Sequence, residues 1–224
     1  MASERARLRG LYAVTPGIAD TAALCARVRQ ALAGGAAMIQ YRVKEAPGSL
    51  ALEQARSLAA LCVQAGVPLI VNDSVDLALA VGATGVHLGR DDEDPREARR
   101  RMPHALIGVS CYADPEKARI AARAGADYVA IGSVFASSTK PHAVRAPLEL
   151  LAQAREASRL PVVAIGGITA DNAAEAIAAG ADMVAVIQAV FEAPDVRAAA
   201  GAFARLFESP ASGRHDARAQ PQPL

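Results

Sequence analysis

One short unit of sequence occurs three times in this chain and limits the folds that are open to it. Residues 81–88, 124–131 and 179–186 each read as a helix end, a glycine turn and the start of an apolar strand. Repetition of such a unit is typical of folds built from strand–helix pairs. The repeat therefore predicts a sheet in which helices connect neighbouring strands.

Eight such pairs follow one another along the chain. Hydrophobic patterning predicts strands at 11–15, 38–43, 68–73, 85–89, 106–111, 128–134, 162–167 and 183–187. The helices predicted after them are 21–32, 49–65, 74–81, 95–102, 115–123, 147–158, 171–179 and 195–207. This count indicates an α/β TIM barrel, (β/α)8, as a single domain over residues 1–208. A doubly wound open sheet shows the same alternation and is the alternative, but the number of strands favours the barrel.

Composition excludes several classes of partner. The 24 basic and 23 acidic side chains leave a net charge of +1, and aromatic residues are scarce, so neither nucleic acid nor an anionic membrane is expected. Three cysteines without CxxC spacing are typical of reduced thiols, and no apolar run approaches 18 residues. These features predict a cytoplasmic protein, and they leave a homo-oligomer open. Residues 209–224 lack periodicity and are predicted to form a disordered tail.

The strand at 38–43 carries an unusual polar face. Gln40, Arg42 and Lys44 alternate with apolar residues at a period of two. In a parallel sheet covered by helices, such a face does not meet bulk solvent. The simplest ligand for an amide and two cations in register is an anion.

Other polar residues fall where predicted strands end, and those ends meet at one mouth of a barrel. Asp73 and Asp92 follow adjacent strands, and carboxylates together with phosphate oxygens are ligands that Mg²⁺ prefers. Taken singly, Asp73 could be a helix N-cap and Asp92 a solvated loop charge. Together, beside Arg42 and Lys44, they favour a metal–diphosphate site.

Two further segments are candidates for holding a phosphate. The loop from Ser137 to Lys140 offers hydroxyls, amides and an ammonium group, although a solvated loop would look the same. Gly166–Gly167 ends a strand where its amides could approach a phosphate, or could simply form a tight turn. His87 lies among apolar residues, and we expect a packed or hydrogen-bonded core histidine. No Ser–His–Asp set, P-loop or dinucleotide fingerprint is present.

At these residues the chain resembles the thiamine-phosphate synthase (thiamin-phosphate pyrophosphorylase) family. The shared motifs are G-G-x-x-x-x-Q-x-R-x-K at 34–44, I-V-N-D-x-V-D-L-A at 70–78, G-V-H-L-G-x-x-D at 85–92, I-G-V-S at 107–110 and the Ser/Thr-x-Thr-Lys loop at 137–140. The resemblance implies a transferase that joins a hydroxymethylpyrimidine diphosphate to a thiazole phosphate, which carries a carboxylate in some versions, and releases diphosphate. No general base or covalent nucleophile is needed for that reaction.

The resemblance also implies roles for individual residues. The pyrimidine diphosphate would contact Gln40, Tyr41, Arg42, Val43, Lys44, Asn72, Ser110 and Lys140. Of these, Arg42, Lys44, Ser110 and Lys140 would be catalytic, and Asp73 and Asp92 would bind Mg²⁺. The thiazole phosphate would contact Ser137, Ser138, Thr139, Gly167, Ile187 and Gln188.

The chain departs from the family pattern at two places. The loop before Lys140 lacks two prolines that the family often has, and Gln188 stands where a serine is frequent. A thiazole tautomerase of the same family is the nearest rival, but it depends on a histidine near the end of strand 5. Here Ser110 is followed by Cys111 and Tyr112. A non-catalytic barrel that binds thiazole phosphate is the other alternative, although such a barrel would be expected to lose some of the charged residues retained here.

Overall fold

A computed structural model of the chain describes residues 8–43, 46–136 and 145–208. Eight parallel strands pair in chain order, and the last pairs with the first, so the sheet closes into a barrel. The strands are β1 Gly10–Val14, β2 Met38–Tyr41, β3 Leu69–Asn72, β4 Gly85–Leu88, β5 Leu106–Tyr112, β6 Tyr128–Gly132, β7 Val162–Ile165 and β8 Met183–Val186. The predicted (β/α)8 barrel is confirmed.

Helices of the described part of the chain follow every strand and cover the outside of the barrel. They are α1 Thr21–Ala33, α2 Gly48–Ala65, α3 Val75–Val81, α4 Pro95–Arg101, α5 Pro115–Arg123, α6 Glu149–Ser158, α7 Ala173–Ala178, α8 Gln188–Phe191 and α9 Val196–Glu208. The short helix α8 was not predicted, because four residues directly after a strand give no helical periodicity. None of the described helices is long and apolar enough to cross a membrane. The tail predicted for 209–224 lies outside the described residues.

Side chains at helix starts set where several of these helices begin. The Asp20 carboxylate accepts a hydrogen bond from the Ala23 amide at 2.8 Å, and the Ser74 hydroxyl accepts one from Leu77 at 3.1 Å. Such caps satisfy amide groups that have no partner within the helix. Pro95 stands in the first turn of α4, as predicted, where its missing N–H costs no hydrogen bond.

Alternation along the strands divides the core into two layers. Inward side chains form a cluster inside the barrel, which includes Tyr12, Met38, Ile70, Tyr128 and Met183. Their neighbours in sequence pack outward against the helices, where alanine and valine predominate and allow close approach. The strand ends are therefore the place where inward side chains can meet a ligand.

The three copies of the sequence repeat have the same structural role. In each copy, the side chain of the fourth residue accepts a hydrogen bond from an amide near the start of the preceding strand: Thr84 from Leu69, Asp127 from Ile107, and Asp182 from Val162. The two aspartates also form ion pairs with arginines: Asp127 with Arg99 of α4, and Asp182 with Arg155 of α6. The repeat thus closes the amino-terminal end of the barrel, opposite the mouth.

Candidate active site

The carboxyl ends of the strands bring the predicted polar residues to one rim. Arg42 follows β2, Asp73 follows β3, Asp92 lies in the segment after β4, and Ser110 lies near the end of β5. Because all eight strands are parallel, these ends lie at the same mouth. The structure thus places these four residues at the same end of the barrel, and their roles in a site stay a prediction.

Strand β2 presents its two faces to different layers. Gln40 is buried inside the barrel, where its side-chain amide donates to the Tyr12 hydroxyl at 2.6 Å. Tyr41 and Val43 instead pack in the outer layer, and the Tyr41 hydroxyl donates to Gln54 of α2 at 2.9 Å. The side chains of Tyr41 and Val43 therefore face away from the barrel interior, because adjacent residues in a strand face opposite sides. Their predicted contact with the pyrimidine diphosphate stays a prediction, and only their main chain could make it.

Arg42 is anchored by its main chain. Its amide donates to the hydroxyl of buried Thr15 at 2.9 Å, just beyond β1. Residue 42 follows Gln40 by two positions, so it keeps the inward register. Within residues 8–43, 46–136 and 145–208, the structure shows no hydrogen bond or ion pair to the Arg42 guanidinium. A cation of this kind at the mouth is suited to an anionic ligand.

Asp73 and Asp92 follow the neighbouring strands β3 and β4, which pair in the barrel. The Asp73 amide donates to the His87 carbonyl at 2.8 Å, and the Asp92 carboxylate accepts from the Gly89 amide at 2.6 Å. Asp73 has a φ of 65°, a conformation that aspartate tolerates better than most residues. Since Ser74 is the residue that caps α3, the interpretation of Asp73 as an N-cap is wrong.

The donors at this corner fit Mg²⁺. The described residues contain no group of three or more His, Cys, Asp or Glu side chains that could hold a metal by themselves. Mg²⁺ commonly takes only one or two carboxylates and completes its shell with water and substrate phosphates. Two carboxylates on residues that follow neighbouring strands match that type of site, and they do not match a closed structural metal centre.

A chain of hydrogen bonds crosses the barrel interior beneath the mouth. From Gln40 it continues through the hydroxyls of Tyr12 and Tyr128, 2.9 Å apart, to Nδ1 of His87 at 3.2 Å. His87 Nε2 then lies 2.9 Å from the Ser110 hydroxyl. The prediction of a hydrogen-bonded core histidine is confirmed. Gln40 and Ser110 were predicted as site residues from their strand positions. The structure links them through Tyr12, Tyr128 and His87, which were not predicted as site residues.

Burial controls the ionisation of the residues in this hydrogen-bond chain. It raises the pKa of both Tyr12 and Tyr128, so the phenols remain protonated. It lowers the pKa of His87 to about 4, and the negative charge of Asp92 opposes that shift without cancelling it. The imidazole is therefore neutral at neutral pH, and the floor of the site carries hydrogen-bonding groups without net charge.

Packing around Gly166 and Gly167, which follow β7, requires glycine at both positions. A Cβ on Gly166 would overlap Ser133, and one on Gly167 would overlap the carbonyl oxygen of Ala136. Gly167 also has a φ of 64°, which favours glycine. These residues let the segment after β6 approach the end of β7. Their predicted contact with a phosphate stays a prediction.

The two predicted site residues that follow β8 lie in different environments. Ile187 packs against the interior cluster at the mouth. Gln188 is exposed as the first residue of α8, and its side-chain amide donates to Glu192 at 3.2 Å. The predicted site residues Lys44, Ser137, Ser138, Thr139 and Lys140 lie outside the described residues.

Comparison with known proteins identifies similar sequences and structures. The model of the family described as thiamine monophosphate synthase matches residues 11–190. A thiamine-phosphate synthase of Aromatoleum aromaticum is 55% identical over 204 residues, which is 91% of this chain and 98% of that protein. One of Azoarcus sp. is 57% identical over 202 residues, 90% of this chain and 98% of that protein.

A solved structure gives the same result. A thiamine phosphate pyrophosphorylase of Pyrococcus furiosus superposes with a TM-score of 0.82 at 40% identity. The superposition covers 92% of this chain and 98% of that one. Both comparisons span the barrel and the rim residues described above.

Proposed function

The chain belongs to the thiamine monophosphate synthase family and its function is that of a thiamine-phosphate synthase, and we propose that the reaction takes place at the rim formed by β2 to β5. The substrates proposed are a hydroxymethylpyrimidine diphosphate and a thiazole phosphate, with or without a carboxylate. The observation that carries this assignment of the site is that the ends of four neighbouring parallel strands, β2 to β5, carry Arg42, Asp73, Asp92 and Ser110 at one mouth of the closed barrel.

Charge at the mouth favours departure of diphosphate. In the proposed reaction the bond between the pyrimidine methylene carbon and the diphosphate oxygen breaks, and the electron pair leaves with the oxygen. Arg42 directly follows β2 at the rim, and its guanidinium would stabilise the negative charge that develops on the leaving group. Lys44 and Lys140 are proposed to act with it on grounds of sequence.

Asp73 and Asp92 would hold Mg²⁺. The ion, when bound, would neutralise charge on the diphosphate oxygens and so make diphosphate a better leaving group. Two carboxylates leave most of the coordination shell of such an ion to water and phosphate oxygens. The aspartates therefore serve both to hold the ion and to place the diphosphate next to Arg42.

The rest of the reaction needs little from the protein beyond position. The pyrimidine methylene left behind is a cation stabilised by its ring, and the lone pair of the thiazole nitrogen forms the new C–N bond. If the thiazole carries a carboxylate, that group leaves as CO₂ and the electron pair of the broken C–C bond stays with the thiazole ring. No proton has to be removed for that step. This agrees with a site floor in which His87 and both tyrosines are tied to one another by hydrogen bonds.

The tautomerase alternative is less well supported. It would use a histidine near the end of β5, and His87 of β4 does lie against Ser110 there. However, both ring nitrogens of His87 are within hydrogen-bonding distance of hydroxyl groups inside the barrel. The residues after Ser110 are Cys111, which is buried in the outer layer, and Tyr112.

The cysteines and the net charge of the chain indicate its compartment and its partners. The three cysteines are free and buried, which suits a reducing compartment, and we place the enzyme in the cytoplasm. Its partners are phosphorylated small molecules, with no nucleic acid and no membrane, because the net charge is only +1. The thiazole phosphate is assigned to the other side of the mouth, near Gly167, Ile187 and Gln188.

One assay tests the proposed reaction. The purified chain is incubated with both phosphates, either with Mg²⁺ or with a chelator, and thiamine phosphate and diphosphate are quantified. We expect equal amounts of the two products with Mg²⁺ and almost none with the chelator. Absence of thiamine phosphate in the presence of Mg²⁺ would reject the substrates, and full turnover with the chelator would reject the metal.

A further inference from the structure

The hydrogen-bond chain between Gln40 and Ser110 has a direction. The Gln40 side-chain amide donates to the Tyr12 oxygen at 2.6 Å. Tyr12 is buried, with 1% of the residue exposed, so the hydrogen of its hydroxyl needs an acceptor, and the Tyr128 oxygen lies 2.9 Å away. A buried donor without an acceptor is costly, so Tyr12 donates to Tyr128.

The same count of donors and acceptors determines the tautomer of His87. The Tyr128 oxygen accepts from Tyr12, and its hydrogen is donated to Nδ1 of His87, at 3.2 Å. A neutral imidazole has one donor and one acceptor nitrogen. With Nδ1 as acceptor, Nε2 carries the hydrogen and donates to the Ser110 oxygen at 2.9 Å. The hydrogen of Ser110 is then left for a group at the mouth.

We propose that Tyr12, Tyr128 and His87 are positioning residues that make Gln40 a hydrogen-bond acceptor and Ser110 a donor toward the substrate. Gln40 turns its NH₂ group toward Tyr12, so its carbonyl oxygen is the atom presented for binding. The two ends are coupled, because reversing one bond in the chain reverses them all.

This pairing matches the edge of an aminopyrimidine, and to that extent it rests on the proposed function. The exocyclic amino group is a donor, and the adjacent ring nitrogen is an acceptor. An acceptor at Gln40 and a donor at Ser110 would receive that edge in one orientation. The reversed chain, with the Gln40 amide turned over, would present NH₂ at Gln40 and a lone pair at Ser110, and would select the opposite orientation.

The tautomer of His87 in the free protein tests the direction without any substrate. Long-range ¹H–¹⁵N correlation of the imidazole rings reports which nitrogen carries the hydrogen, and a His87→Gln sample assigns the signal among the four histidines. We expect hydrogen on Nε2 in the wild-type chain. Hydrogen on Nδ1, or a rapidly exchanging mixture, would overturn the proposal. Because this result does not depend on turnover, it stands apart from success or failure of the proposed reaction.

A variant tests the positioning role. In Tyr128→Phe, His87 loses its donor at Nδ1, and we expect a mixture of both tautomers. The KM for the pyrimidine diphosphate should rise about tenfold, the equivalent of one lost hydrogen bond, with a smaller change in kcat and none in the KM for the thiazole phosphate. Retention of a single tautomer together with an unchanged KM would contradict the role.

The control is Tyr41→Phe. It also removes a hydroxyl from a buried tyrosine, but this hydroxyl is bonded to Gln54 in the outer layer. We expect the His87 signal of this variant to match that of the wild-type chain. If Tyr41→Phe and Tyr128→Phe change the signal equally, the effect is one of general loosening, and the proposal fails.

Discussion

The ring of Tyr128 fills the space that a side chain at position 108 would occupy. Gly108 on β5 and Tyr128 on β6 are direct partners in the sheet, and a Cβ on Gly108 would overlap the phenol group. Through this gap the Tyr128 hydroxyl comes within reach of both Tyr12 and His87. A glycine at 108 is therefore a condition for the hydrogen-bond chain beneath the mouth.

Gly108→Ala is expected to lower the free energy of unfolding by about 1–3 kcal/mol, because an added methyl group in a packed interior forces its neighbours to move. Urea denaturation measures the change. Gly48→Ala is the matched control, since no described atom lies within 4 Å of a Cβ there, and a change below about 0.5 kcal/mol is expected. Equal losses in the two variants would show that Tyr128 is not held as described.

The aspartates of the sequence repeat should differ in importance. Asp127 is 4% exposed and accepts from both Arg99 and the Ile107 amide, whereas the Asp182–Arg155 pair is more open to solvent. Removing one partner of a buried pair costs more than removing one from a screened pair. We expect Asp127→Ala to cost about 3 kcal/mol and Asp182→Ala about 1 kcal/mol in urea denaturation. The reverse order would contradict this interpretation of burial.

His87 should make stability depend on pH. Its pKa is about 4 in the folded chain and about 6.5 when unfolded, so between these values the unfolded chain binds a proton that the folded chain does not. Stability is therefore full above pH 6.5 and falls as the pH falls toward 4. The loss due to this residue should be about 3 kcal/mol between pH 7 and pH 4.

The measurement for His87 is a difference between variants. Urea denaturation of the wild-type chain and of His87→Gln is compared at pH 7 and at pH 4, and the wild-type chain should lose more stability. His104→Gln, which changes an exposed histidine, should follow the wild-type chain. A parallel pH dependence in the wild-type chain and His87→Gln would show that His87 is not buried as a neutral group.

Arg42 should contribute mainly to the diphosphate. Arg42→Ala removes charge-assisted hydrogen bonds to the leaving group, and kcat/KM for the pyrimidine diphosphate should fall about a hundredfold. The KM for the thiazole phosphate should remain within about twofold of its wild-type value. Arg56→Ala, an exposed position on α2, is the control for loss of one positive charge and should leave both parameters unchanged. A comparable fall in Arg56→Ala would point to a long-range effect of charge instead.

Much of the fold was predictable from local patterns. Alternation in β2 identified Gln40 as an inward residue, because two-residue periodicity is a property of the strand itself. The rim positions of Asp73 and Asp92 followed from parallel strands whose ends meet at one mouth. The residue that caps α3 did not follow: Ser74 caps this helix, and its neighbour Asp73 has a positive φ.

The hydrogen-bond chain was not predictable, because its contacts cross the barrel. Tyr12 and Tyr128 each lie in an apolar strand, 116 residues apart, and read as ordinary core residues. Gly108 was the available signal, since a glycine inside a strand often marks the close approach of another group. The sequence gives no indication of which group that is until the barrel closes.

The central claim is that Asp92 helps to hold Mg²⁺ for departure of diphosphate, and a Mg²⁺ titration of turnover tests it most directly. Asp92→Asn should raise the Mg²⁺ concentration for half-maximal rate by about tenfold or more and lower the maximal rate. Asp91→Asn, which changes the exposed neighbour, should titrate like the wild-type chain. Wild-type rates for Asp92→Asn at limiting Mg²⁺ would contradict the account.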